Sequence, residues 1–97
     1  MFDLRSKPME PICILVVDDH NLFREGLKLL LDSAAETAVV GQAGTGKEAV
    51  TQAKSLAPDV ILMDIRMPDM NGIEATRRIL AERPDAGIIM LTIKLQA

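Results

Sequence analysis

Four residues at the ends of apolar runs are able to do chemistry together. Asp18 and Asp19 follow the run Ile12-Cys13-Ile14-Leu15-Val16-Val17, Asp64 ends the run begun by Val60-Ile61-Leu62-Met63, and Thr92 follows Ile88-Ile89-Met90-Leu91. Three carboxylates brought to one point repel each other, and at least one pKa must rise unless a cation compensates. A hard divalent ion resolves this: Mg²⁺ accepts carboxylates plus waters in an octahedral shell, which leaves room for phosphate oxygens. A carboxylate can also be the nucleophile and form an aspartyl phosphate. The metal then offsets charge on the attacking oxygen and on the phosphoryl group. Thr92 supplies a hydroxyl that could donate to a phosphoryl oxygen. Any one Asp at a strand end has a plainer reading, as a turn residue or helix cap. The conjunction of a pair after the first run, a third carboxylate after the third and a hydroxyl after the fourth is a much narrower coincidence.

The elements that must position these residues follow from the hydrophobic pattern. Residues 12–17, 37–41, 60–63 and 88–91 are short apolar or β-branched runs. Between them lie helical patterns. Leu22, Phe23, Leu27, Leu30 and Leu31 share a spacing within 21–32, with Asn21 as N-cap; Ala49, Val50, Ala53 and Leu56 do so within 46–57. Ile73, Thr76, Ile79 and Leu80 do so within 72–83, and Pro84 lies beyond that helix. Strands apolar on both faces and separated by helices predict an α/β, doubly wound parallel sheet with right-handed crossovers. Ligands of such sheets bind outside the carboxyl ends of the strands, which is where all four residues would meet. Residues 1–11, with Pro8 and Pro11, read as a flexible leader.

The bulk properties exclude several classes. The chain has 97 residues, enough for one domain. Its net charge of −3, scattered basic residues and absence of Trp and Tyr argue against nucleic acid as a direct partner. No apolar run is long enough to span a membrane, and the start does not read as a signal peptide. The single cysteine, Cys13, cannot form an internal disulfide and reads as a buried, inert thiol; these features together predict a cytoplasmic chain.

Three smaller motifs compete for attention. Gly41-Gln42-Ala43-Gly44-Thr45-Gly46-Lys47 matches a phosphate-binding loop, G-x-x-x-x-G-K, but Glu48 stands where Ser or Thr would bind Mg²⁺. Thr45 and Glu48 read better as a capping box opening the second helix. His20 adjoins the acidic pair and reads as a packing or hydrogen-bonding residue, since Mg²⁺ prefers oxygen. Asp69 reads as a turn residue only.

Three segments also resemble a known family: Val16-Val17-Asp18-Asp19-His20; Leu62-Met63-Asp64-Ile65-Arg66-Met67-Pro68-Asp69-Met70-Asn71-Gly72; and Ile88-Ile89-Met90-Leu91-Thr92. They are similar to the signature segments of response-regulator receiver domains. Asp18 through Leu27 is similar to the NarL/FixJ (LuxR-type) subclass in particular. The resemblance implies a flavodoxin-like receiver fold, with Asp64 as phosphoacceptor and a histidine kinase as phosphoryl donor. It implies Mg²⁺ as cofactor, held by Asp18, Asp19, Asp64 and the backbone carbonyl of Arg66. It implies Thr92 as the switch hydroxyl, and Pro68 and Gly72 as shapers of the site loop. A DNA-binding domain outside this chain would make the whole protein a transcription regulator.

The match breaks after Thr92. The family continues with a helix, a strand ending in a lysine, and a further helix, whereas this sequence ends at Ala97. The expectation is therefore a partial receiver domain over 12–92, incomplete at the C-terminus, with an atypical tail over 93–97 and no residue for the switch lysine. Lys94 follows Thr92 too closely to serve. The fourth strand would then be an exposed apolar edge, the kind that recruits partners, and the expectation is a chain that either self-associates, as a homodimer or otherwise, or is only partly stable. The alternative function is a receiver-like interaction module that no longer takes phosphate.

Overall fold

The computed structural model describes residues 10–91. The leader up to Met9, and Thr92, Lys94 and the rest of the tail, lie outside them. Within this range the order is β1 (Ile12–Val17), α1 (Asn21–Asp32), β2 (Thr37–Ala43), α2 (Gly46–Leu56), β3 (Val60–Asp64), α3 (Gly72–Glu82) and β4 (Gly87–Leu91). The strands form one parallel sheet in the order β2-β1-β3-β4. The expected α/β architecture is therefore present. β2 runs two residues further than its β-branched run, to Ala43.

The strand pleat sends alternate residues to opposite faces. Leu15, Val17, Ile61 and Met63 form one face and are buried with Ala49 and Ala53 of α2 and Ala75 and Ile79 of α3. The alanines allow both helices to approach the sheet closely. Ile14 and Val16 are buried on the other face, the side on which α1 packs against β1 and β2.

The helix ends follow their side chains. Thr45 Oγ1 accepts from the Glu48 N–H at 3.1 Å, as a capping box requires. The reciprocal arm lands one residue early, with Glu48 Oε1 accepting from the Gly44 N–H at 2.8 Å. α2 stops at Ala57, which adopts the left-handed conformation (φ 47°, ψ 57°) just before Pro58. Asn71 caps α3, accepting from the Glu74 N–H at 2.9 Å.

Several local expectations are corrected. His20, with extended backbone and no side-chain cap, occupies the N-cap of α1; Asn21 is the first helical residue and accepts from the Arg24 guanidinium instead. α1 has no fully buried residue, and Leu22 and Leu30, expected inward, are 87% and 67% exposed. Leu27 and Leu31 are half-buried, so only part of the apolar stripe meets the sheet. In α3, Ile73 was expected inward and is exposed, while Gly72, Ala75 and Ile79 are buried. Gly72 lies against the backbone of Asp64 so tightly that it fixes the helix rotation, and its neighbour must point outward. Cys13, near the start of β1, is half-buried rather than buried.

The two sheet edges differ. β2 is interrupted by a register shift that skips Val40, and Asp32 Oδ1 accepts from the Val39 N–H at 2.9 Å. β4 runs regularly beside β3 and, among the described residues, has no neighbour on its other side.

Candidate functional site

β1 and β3 lie side by side and parallel, so their carboxyl ends deliver Asp18, Asp19 and Asp64 to one point. Asp18 is fully buried and Asp64 is 2% exposed. Asp19 and His20 face outward at the rim. One ligand atom from each of Asp18, Asp19, His20 and Asp64 can be chosen so that all four lie within 4.8 Å of one another. The convergence expected of Asp18, Asp19 and Asp64 is thus present in the geometry. Leu91 at the end of β4 pairs with Asp64, and Thr92, the remaining member of the expected set, lies outside the described residues.

The turn after β1 is held by the site residues themselves. The Asp18 N–H donates to the Ala43 carbonyl at 3.0 Å, keeping the chain tied to β2 after β1 has ended. Asp18 Oδ1 accepts from the His20 N–H at 2.8 Å and lies 3.0 Å from its Nδ1. The same Nδ1 lies 3.0 Å from Asp19 Oδ1, so His20 sits against both carboxylates. Its hydrogen bonding near α1 was expected; its contact with two site carboxylates was not. Arg24, one turn into α1, donates from Nη1 to the Asp18 carbonyl at 2.6 Å and from Nε to Gln42 Oε1 at 3.2 Å. Sequence reading passed over Arg24. The available signal was its place in the first turn after the acidic pair, where a long cation can reach back.

The loop after β3 closes the other side. The Arg66 N–H donates to Asp64 Oδ1 at 3.3 Å, and the Gly72 N–H donates to the Ile65 carbonyl at 2.7 Å. An open cavity of about 480 Å³ is lined by Asp19, Ile65, Arg66, Met67, Pro68 and Asn71. Pro68 forms part of this wall, and Gly72 lies against the Asp64 backbone. A Cβ at Gly72 would lie 2.9 Å from the carbonyl carbon of Asp64 and closer still to its oxygen. Only glycine allows α3 to start so near the end of β3.

Asp69 does more than turn the chain. Its carboxylate accepts from the Gly46 N–H at 3.1 Å and the Lys47 N–H at 3.2 Å, the first two residues of α2. Burial pushes its pKa up, but the N–H groups of Gly46, Lys47 and Met70 outweigh this and hold it below the usual carboxylate value. No local signal could have revealed this, because the partners are 22 and 23 residues away. The contact also disposes of the phosphate-loop motif. The N–H groups of Gly44, Gly46, Lys47 and Glu48, which would cradle a phosphate, are taken by Glu48, Asp69 and Thr45.

The donor set fits a hard divalent cation. Carboxylate oxygens are the ligands Mg²⁺ selects, and three from two strand ends leave positions for water or a phosphate oxygen. The cavity beside Asp19 is large enough to admit such a ligand.

Comparisons agree with this geometry. The family model described as "response regulator receiver domain" matches residues 14–97. "Response regulator GacA" of Pseudomonas viridiflava is 45% identical over 82 residues, covering 84% of this chain and 38% of the relative. "Transcriptional regulatory protein YdfI" of Bacillus subtilis is 49% identical over 79 residues, covering 81% and 37%. The chain thus spans about two fifths of the length of these relatives. Among solved structures, the response regulator domain of Thermotoga maritima CheB superposes with a TM-score of 0.78 at 46% identity, over 84% of this chain and 60% of that one. A CheX–CheY–BeF3–Mg²⁺ complex from Borrelia burgdorferi matches with a TM-score of 0.77 at 30% identity, over 82% and 60%.

Proposed function

Since the chain belongs to the response regulator receiver family, we propose that it accepts a phosphoryl group on Asp64, from a histidine kinase, at a Mg²⁺ site formed with Asp18 and Asp19. The observation that carries this is the convergence of three carboxylates from the ends of β1 and β3 beside an open cavity. Asp19, Asp64 and the Arg66 backbone carbonyl would hold the ion, with Asp18 acting mainly through water. The ion, when bound, supplies positive charge against the phosphoryl oxygens.

The residues of the chain do the rest. Asp64 is the nucleophile: its carboxylate oxygen forms the new bond to phosphorus as the P–N bond to the donor histidine breaks, and that imidazole leaves with its electron pair and takes a proton. The Arg66 N–H bonded to Asp64 Oδ1 orients the carboxylate for attack. The backbone bonds of Asp18 and the reach of Arg24 fix the turn that carries Asp19. Pro68 and Gly72 shape the loop wall, and the hydroxyl of Thr92 donates to the phosphoryl group once it is attached.

The relatives named as response and transcriptional regulators are more than twice as long as the aligned part. On this reading the whole protein would be a cytoplasmic transcription regulator, with DNA contacts made by residues other than these 97, a reading that the names and lengths of the relatives support. Among the described residues no helix is long and apolar enough to cross a membrane. β4, which among the described residues has no neighbour on one side and has Ile89 53% exposed, would be the edge through which the 97-residue chain self-associates.

The test is the intact mass of the chain after incubation with acetyl phosphate, with and without Mg²⁺, beside Asp64→Asn. A Mg²⁺-dependent gain of about 80 Da, the mass of one phosphoryl group, absent in the variant, is expected. A folded chain without the adduct refutes phosphotransfer and leaves an interaction module that works without phosphate.

A further inference from the structure

We propose that Asp69 is a positioning residue for the carboxylate site, because it clamps the loop that carries Arg66 onto the rigid start of α2. The inference rests on the reading of Asp18, Asp19 and Asp64 as a Mg²⁺ site, and it concerns what keeps that site in shape.

The link between β3 and α3 runs from Ile65 to Asn71 and has two anchors. One is at its base, where the Gly72 N–H meets the Ile65 carbonyl at 2.7 Å and the Arg66 N–H meets Asp64 Oδ1 at 3.3 Å. The other is at its far end, where the two oxygens of Asp69 take one N–H each from Gly46 and Lys47. Arg66, Met67 and Pro68 span the gap and line the cavity together with Asp19. The far anchor is firm because α2 is firm: Ala49 and Ala53 hold it in the core. Gly46 also sits so close to the loop that a Cβ there would come within 2.5 Å of the Met70 carbonyl oxygen.

A carboxylate is suited to this task. The free N–H groups and partial positive charge of a helix start favour an anion. Charge-assisted hydrogen bonds are shorter and stronger than neutral ones. Without Asp69 the base anchor survives but the wall is held at one end only. A metal ligand supplied by a main-chain carbonyl has no side-chain freedom to recover from such a shift. Groups that orient metal ligands from outside the coordination shell typically contribute 10- to 100-fold in affinity.

The experiment compares the whole chain with Asp69→Ala, Asp69→Asn and Thr45→Ala. Each is titrated with MgCl2 while amide NMR shifts of Asp18, Asp19, Asp64 and Arg66 report binding and core amides report folding. Thr45→Ala removes another cap from the same helix end, the 3.1 Å bond to the Glu48 N–H, without touching the loop. Asp69→Ala is expected to weaken Mg²⁺ binding by about 10-fold or more, the scale for such outer groups. Asp69→Asn, which keeps one acceptor, gives a smaller loss, and Thr45→Ala leaves the affinity unchanged. If Asp69→Ala does not fold, the loss in Asp69→Asn decides. Wild-type affinity in the folded Asp69 variants, or an equal loss in Thr45→Ala, overturns the inference and leaves Asp69 a helix cap. A wild-type chain with no Mg²⁺-dependent shifts at Asp64 overturns the metal-site reading itself, and the inference with it.

Discussion

The same substitution, Gly to Ala, should have opposite effects at two helical positions. Gly26 lies within α1, and a Cβ built there meets nothing within 4 Å. Removing the backbone freedom of a mid-helix glycine stabilises by about 0.5–1 kcal/mol. Gly72 opens α3, and a Cβ there lands on the Asp64 carbonyl and 2.9 Å from Met63 Cγ. Neither glycine has a positive φ, so the difference is steric and not conformational. Overpacking costs about 1–3 kcal/mol and occasionally more. Here the obstacle is backbone at the end of a paired strand, so the upper end applies. A helix-propensity gain of at most about 1 kcal/mol offsets part of it. The expected net change for Gly72→Ala is a loss of about 2–4 kcal/mol, which for a domain of this size lowers Tm by roughly 10–25 °C. Gly26→Ala raises Tm by roughly 3–6 °C on the same scale. Urea unfolding followed by far-UV circular dichroism measures both. Relief of the Gly72→Ala clash must displace Asp64, so its amide resonance should move further than those of β1. Equal stabilities for the two variants would refute the argument, because it would mean that α3 can back away from β3 at no cost.

Three further outcomes are expected. Thr76 Oγ1 is buried without a hydrogen-bond partner, so Thr76→Val should stabilise the chain by about 1 kcal/mol, seen as a higher urea midpoint. Asp64→Asn relieves the repulsion among three close carboxylates, so it should stabilise the metal-free chain by up to about 1 kcal/mol while abolishing the rise in Tm expected of the wild type in MgCl2. Because Asp69 has a pKa below its ordinary value of 3.8, its stabilising bonds are fully present above that pH and lost as pH falls further. Asp69→Asn should therefore be less stable than wild type at neutral pH, with the gap closing below about pH 4; thermal melts that stay parallel down to acid pH would contradict this.

The parts of this fold that local pattern determines were legible in advance. Continuous apolar runs mark the strands, and the rule for strand ends brings Asp18, Asp19 and Asp64 together from sequence alone. The bounds of β1 followed from its apolar run, and those of α1 from its helical periodicity. What could not be read depended on contacts between distant segments. The stripe on α1 names candidate inward residues, but which half of it meets the sheet depends on how the helix rolls. Leu22 lost that contest and Leu27 won a share of it. Ile73 was misplaced because Gly72, pressed onto Asp64, sets the rotation of α3. Asp69 looked like a turn residue because its turn is local and its hydrogen bonds are not.

The strand order has a consequence for how the chain is made. β2 docks on one side of β1, β3 on the other, and β4 on the outer side of β3. Each strand therefore arrives at an edge that already exists, and none has to be inserted between two that are paired. A chain emerging from the ribosome, amino end first, can add these layers in the order of synthesis without reopening a completed ladder. β1, one of the two inner strands, is also the first of these four to emerge. Synthesis and assembly run in the same direction from there.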